Sequence, residues 1–101
     1  GMKYKHYAPK AEMILFSGCQ ENIEKVIKEQ EALAKKQGKK VSCLIYKTDL
    51  DAAKNLFKDL RNADDCGADL ILAAALPKTG SINFSVMNRM LKSAGYNIKE
   101  V

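Results

Sequence analysis

Leu70-Ile71-Leu72-Ala73-Ala74 carries no polar side chain and lies between Gly67 and the Pro77–Gly80 segment. A strand that is apolar on both faces has to be covered on both faces, the condition of a parallel sheet whose crossovers are helices. Two more runs match it: Met13-Ile14-Leu15-Phe16, closed by Ser17-Gly18, and Val41-Ser42-Cys43-Leu44-Ile45-Tyr46. Between the first two, over residues 21–37, Ile23, Val26, Ile27 and Ala34 recur at helical spacing, and Gly38 stops the pattern. Thr48 and Asp51 form a capping-box pattern ahead of Ala53, Leu56, Phe57 and Leu60, with Gly67 as the stop. A third helix presents Met87, Met90, Leu91 and Ala94 on one face and closes at Gly95; residues 98–101 add a short last strand. The expected fold is α/β, a small Rossmann-like three-layer sandwich. Its mostly parallel sheet has about four strands, its helices number three, and its crossovers are right-handed. The alternation does not set the strand order.

At 101 residues the chain is one domain, with 12–101 as its body and 1–11 as the one linker-like segment. Hydrophobic content of 47% against 29% charged is that of a globular protein. No apolar run approaches the ~20 residues that span a bilayer, and no basic-then-apolar leader opens the chain, so no membrane partner is expected. Cys19, Cys43 and Cys66 are odd in number and lack CxxC spacing. They read as reduced thiols in a cytoplasmic protein. The net charge of +5 is spread along the chain, with one cluster at Lys35, Lys36, Lys39 and Lys40. Beside a helix end these lysines read as a solvated cap rather than a nucleic-acid patch, and direct tRNA binding is not expected.

Self-sufficient chemistry is absent. Ser17-Gly18-Cys19-Gln20-Glu21 offers one glycine where a dinucleotide loop needs GxGxxG, and GxxxxGK[ST] occurs nowhere. Lys78-Thr79-Gly80 has no accompanying SxxK. Its segment, Lys78, Thr79, Gly80 and Ser81, still follows a strand, where open α/β sheets meet ligands, and is a candidate anion loop. Cys19 near a helix start has only His6 as a prospective base. Asp64 and Asp65 read as solvated or capping carboxylates, and a single histidine cannot supply a metal site.

The stretch Lys3-Tyr4-Lys5-His6-Tyr7-Ala8-Pro9 stands apart. It gathers flat rings and positive charge, a set suited to stacking on a base and neutralising phosphates. With Gly1-Met2 it resembles the linker of the two-domain, Sua-type threonylcarbamoyl-AMP synthases, which carry Arg at the Lys5 position. Leu56-Phe57, Leu60-Arg61, Asp64, Gly67, Asp69 and Ile71 resemble that family's C-terminal domain, as do Met87-Asn88-Arg89-Met90, Lys92 and Ala94. One departure is Ser81-Ile82-Asn83, where the family has a glycine-rich turn before the last helix.

The resemblance implies a regulatory, lid-bearing C-terminal domain with no catalytic residue of its own and no activity alone. Full-length members condense threonine, bicarbonate and ATP, with Mg, into threonylcarbamoyl-AMP and pyrophosphate for the t6A modification of tRNA. The implied partners are an upstream YrdC-like catalytic domain and, through the arm, ATP or threonylcarbamoyl-AMP. Carried over by position, Lys3, Tyr4, Lys5, His6 and Tyr7 form the nucleotide lid and Pro9 stiffens its exit. Lysine at position 5 keeps the charge of Arg without its planar fork. The alternative from another class is a free-standing α/β module binding a nucleotide or a protein partner.

Overall fold

The computed structural model describes residues 9–75 and 81–101, apart from the side chains of Asp49 and residues 81–85. Strands and helices alternate in the expected order: β1 (Glu12–Ser17), α1 (Gln20–Lys36), β2 (Val41–Leu44), α2 (Asp49–Asp65), β3 (Leu70–Ala74), α3 (Ser81–Ser93) and β4 (Ile98–Glu100). All pairings are parallel, in the order β2-β3-β1-β4. Leaving β1, the chain passes over β3 to reach β2; the next two crossovers run the other way. A right-handed crossover ties the direction of travel to a face of the sheet. Consequently α1 covers one face while α2 and α3 cover the other.

Both faces of the central strands are filled, as the apolar runs require. Met13, Leu15, Ile71 and Ala73 pack under Leu56, Leu60, Val86 and Met90. Ile14, Phe16, Leu72 and Ala74 pack under Ile23, Ile27 and Ala34. One stripe differs from expectation. Ala53 is exposed, and the buried row of α2 is Ala52, Leu56, Leu60 and Ala63. The spacing of four from Ala52 to Leu60 follows the strip that touches the sheet, while Phe57 turns aside to lie under the Arg89 guanidinium of α3 (5.9 Å).

The ends of the helices are set locally. Thr48 Oγ1 accepts from the Asp51 backbone N–H (3.1 Å). The side chain of Asp51 does not complete the box; it accepts from Asn55 Nδ2 (2.9 Å). The expected stops at Gly38, Gly67 and Gly95 all take positive φ. Ser81-Ile82-Asn83, expected ahead of the last helix, instead forms its first residues. Gly18, with φ +128, has a stricter task. Val101 N–H donates to the Ser17 carbonyl (2.8 Å), and a Cβ on Gly18 would collide with the Val101 carbonyl.

Ser93 is the exception in the core: 7% exposed, its hydroxyl has no hydrogen-bond partner among the described residues. Two substitutions should therefore move stability in opposite directions. Ser93→Ala removes an unmet polar group and should raise the unfolding free energy by about 1 kcal/mol. Gly18→Ala should lower it by about 1–3 kcal/mol, through both the disfavoured φ and the collision. Urea titrations followed by circular dichroism measure both.

Candidate functional site

The carboxyl end of the sheet has the topology that places ligands in open α/β folds. β1 and β3 are neighbours, yet α1 leaves for one face and α3 for the other, which makes a switch point between them. Ala75 N–H donates to the Phe16 carbonyl (2.8 Å), so β3 and β1 stay joined up to this end. Cys19, the N-cap of α1, makes no side-chain capping bond there. Of the candidate anion loop, Lys78, Thr79 and Gly80 lie outside the described residues; Ser81 is the first residue of α3, with its side chain outside the description.

At the amino end the chain joins the domain. Lys10 N–H donates to Asp64 Oδ1 (3.0 Å) near the end of α2, and Ala11 packs on the core just before β1. Asp64 is thus a fastening for the base of the arm. Lys3, Tyr4, Lys5, His6 and Tyr7, expected to form a lid, themselves lie outside the described residues. Their anchor, Lys10, and the flanks of the anion loop, Ala75 and Ser81, stand at opposite ends of the sheet. Five residues of strand, about 16 Å, separate those ends. The fold therefore keeps the base of the arm apart from the described flanks of the loop.

The amino end also holds a polar node that the sequence pattern did not reveal. Lys40 N–H donates to Asp69 Oδ2 (2.9 Å), and the Lys40 carbonyl accepts from the N–H groups of Asp69 (2.7 Å) and Leu70 (3.2 Å). Lys40 Nζ donates to the Cys66 carbonyl (2.7 Å), putting a cation at the end of α2, whose last turn has no basic residue. Lys40 therefore caps α2 rather than the helix it follows. From the same cluster, Lys35 pairs with Glu31 within α1 (3.3 Å).

Beside β2 runs an open groove of about 290 Å³, lined by Ser42, Cys43 and Leu44 on the strand, by Asp59, Asn62 and Ala63 on α2, and by Cys66 at its C-cap. Tyr46 Oη donates to Asp59 Oδ2 (2.6 Å). Burial and the Asp59 carboxylate hold the tyrosine well above the ordinary phenol range. Cys43 faces α1 instead. Partial desolvation of the sulfur, then the charge and hydrogen bond of Glu31, push its thiol up to about 11. All three cysteines are free and exposed. Among the described residues no cluster of three or more metal-ligating side chains occurs, and no helix is long and apolar enough to cross a membrane.

A parallel α/β domain whose entering chain is fastened at Lys10, with no assembled catalytic group among the described residues, is the class these features define. The family described as "Threonylcarbamoyl-AMP synthase, C-terminal domain" matches residues 1–95, and the chain belongs to it. The threonylcarbamoyl-AMP synthase of Pyrococcus abyssi is 40% identical over 113 residues, covering 100% of this chain and 33% of the relative. That of Bacillus subtilis is 32% identical, covering 94% and 31%. The chain thus spans about a third of the length of these curated relatives. Among solved structures, P. abyssi Sua5 complexed with L-threonine superposes with a TM-score of 0.88 at 39% identity, over 100% of this chain and 33% of that one. The C-terminal Sua5 domain of Pyrococcus horikoshii gives 0.76 at 32% identity, over 93% of this chain and 100% of that one.

The raised thiol has a direct readout. At pH 8, iodoacetamide should alkylate Cys43 roughly ten times more slowly than free cysteine, because a smaller thiolate fraction outweighs the gain in nucleophilicity. Peptide mass spectrometry of a labelling time course measures the rate.

Proposed function

We propose that this chain is the regulatory, lid-bearing part of a threonylcarbamoyl-AMP synthase. In this reading it acts with an upstream YrdC-like domain that condenses threonine, bicarbonate and ATP, with release of pyrophosphate, for tRNA t6A modification. The carrying observation is the family match running through both arm and domain, from residue 1 to 95. The L-threonine complex of the P. abyssi relative supports the substrate assignment. The hydrogen bond from Lys10 to Asp64 supports the division of labour: a rigid body at one end and a short arm leaving from a fixed point.

The chemistry of the arm suits a nucleotide. Lys3 and Lys5 supply charge for phosphates, and the rings of Tyr4, His6 and Tyr7 supply faces for a base. ATP, brought with Mg, supplies the adenylyl group that activates the carboxylate. The arm's contribution is to hold the nucleotide and exclude water from a hydrolysable mixed anhydride. Closure by a segment anchored on a separate body also makes the cytoplasmic catalytic domain responsive to the position of this one, the sense in which the domain is regulatory.

The test is threonine- and bicarbonate-dependent pyrophosphate release from ATP by the two-domain enzyme. Replacing Tyr4, His6 and Tyr7 together by Ala should lower turnover roughly 10–100-fold, the scale of a lost closure step. The melting transition of the domain should stay unchanged. Undiminished turnover would remove the lid role, and loss of a ligand bound by this chain on its own would favour an independent module.

A further inference from the structure

The two outer edges of the sheet are unlike. β4 is 3 residues long and carries Lys99 and Glu100, charges that discourage pairing with another strand. β2 opens a run, Val41-Ser42-Cys43-Leu44-Ile45-Tyr46, with no charge, no proline and no glycine. Its outer side pairs with nothing among the described residues.

The direction of its free groups follows from Lys40. Both the N–H and the C=O of Lys40 point toward β3, to Asp69 and Leu70. Backbone groups alternate along a strand, so Ser42 and Leu44 also bond inward while Val41 and Cys43 point outward, with Ile45 next in the series. The side chains of those outward residues share the face toward α1, where Val41 is half-buried, Cys43 is exposed and Ile45 is 41% exposed. The charges beside Cys43 on that face are Glu31 and Lys35, one of each sign, four residues apart on α1.

We propose that two copies of this chain join through the outer edges of β2, antiparallel about a two-fold axis at Cys43. Cys43 then exchanges both backbone hydrogen bonds with Cys43 of the second copy, at about 5.5 Å between Cα atoms. Val41 pairs with Ile45 of the second copy and covers it. The dyad runs through the middle of the Glu31/Lys35 pair, so each Glu31 meets the Lys35 of the other copy and the charge pattern is self-complementary. Beyond this stretch Lys39 faces Lys47 of the second copy, and their repulsion ends the ladder. An interface so short makes a weak, concentration-dependent dimer. It uses the flank of α2 that carries Asp59, Asn62 and Cys66, and leaves free the flank where Phe57 and Asp64 meet α3 and Lys10.

Sedimentation equilibrium combined with amide hydrogen exchange across a concentration series tests this on the full chain. The expected result is a reversible dimer in which Val41 and Cys43 amides slow by about tenfold or more as concentration rises. Ser42 and Leu44, already bonded to β3, should not change. Lys35→Glu should weaken the dimer roughly tenfold, and adding Glu31→Lys to it should restore it. Cys43→Lys, which sets a cation on each side of the dyad, should abolish it while circular dichroism shows the monomer still folded. A chain monomeric at every soluble concentration overturns the proposal, as does a dimer that leaves the Val41 and Cys43 amides unprotected.

Discussion

The ladder between β1 and β3 is the constraint on which everything else hangs. Five register pairs, from Glu12 with Leu70 to Phe16 with Ala74, put two apolar strands side by side at the centre of the sheet. Neither strand can show a face to water, so each face must receive a helix. With a single hand available to the crossovers, α1 has one side and α2 with α3 the other. The small residues Ala73 and Ala74 let those helices approach closely, and Phe16, 2% exposed, fills the deeper layer under α1. The switch point between β1 and β3 is a by-product of the same arrangement.

Most of this fold is written in local pattern. Continuous apolar runs gave the strands, the three- and four-residue spacing of Ile23, Ile27 and Ala34 gave α1, and three glycines gave the helix ends. Local pattern stops short where a choice depends on a neighbour distant in sequence. Ala52 and Ala53 are indistinguishable by composition, and only the line of contact with the sheet selects the first. Lys40 follows α1 in sequence but caps α2, because β2 and β3 bring the end of α2 beside it. Strand order depends on which edges meet, and no single segment encodes that.

The candidate site divides along the same line. The proposed lid segment stands out by motif, since its rings and lysines are contiguous, and it lies outside the described residues. The fastening at its base does not stand out: Asp64 reads as a surface carboxylate until Lys10 is seen bonded to it. Asp69, one residue ahead of an apolar strand, carries the only local hint of the Lys40 node, as a short carboxylate placed to receive backbone N–H groups. The bond between Tyr46 and Asp59 spans 13 residues and left no pattern at all.

Lys10 precedes the first residue of β1, and Val101 bonds to the last one through its backbone. β4 lies parallel to β1 in the adjacent position. Tension applied through these two points pulls β1 downward and β4 upward along their common ladder. The load falls on the Leu15–Ile98, Phe16–Lys99 and Ser17–Glu100 pairs together, in shear, rather than opening them one after another. Pulled between those two points, β1 is held along its length of about 20 Å by pairs that must yield together.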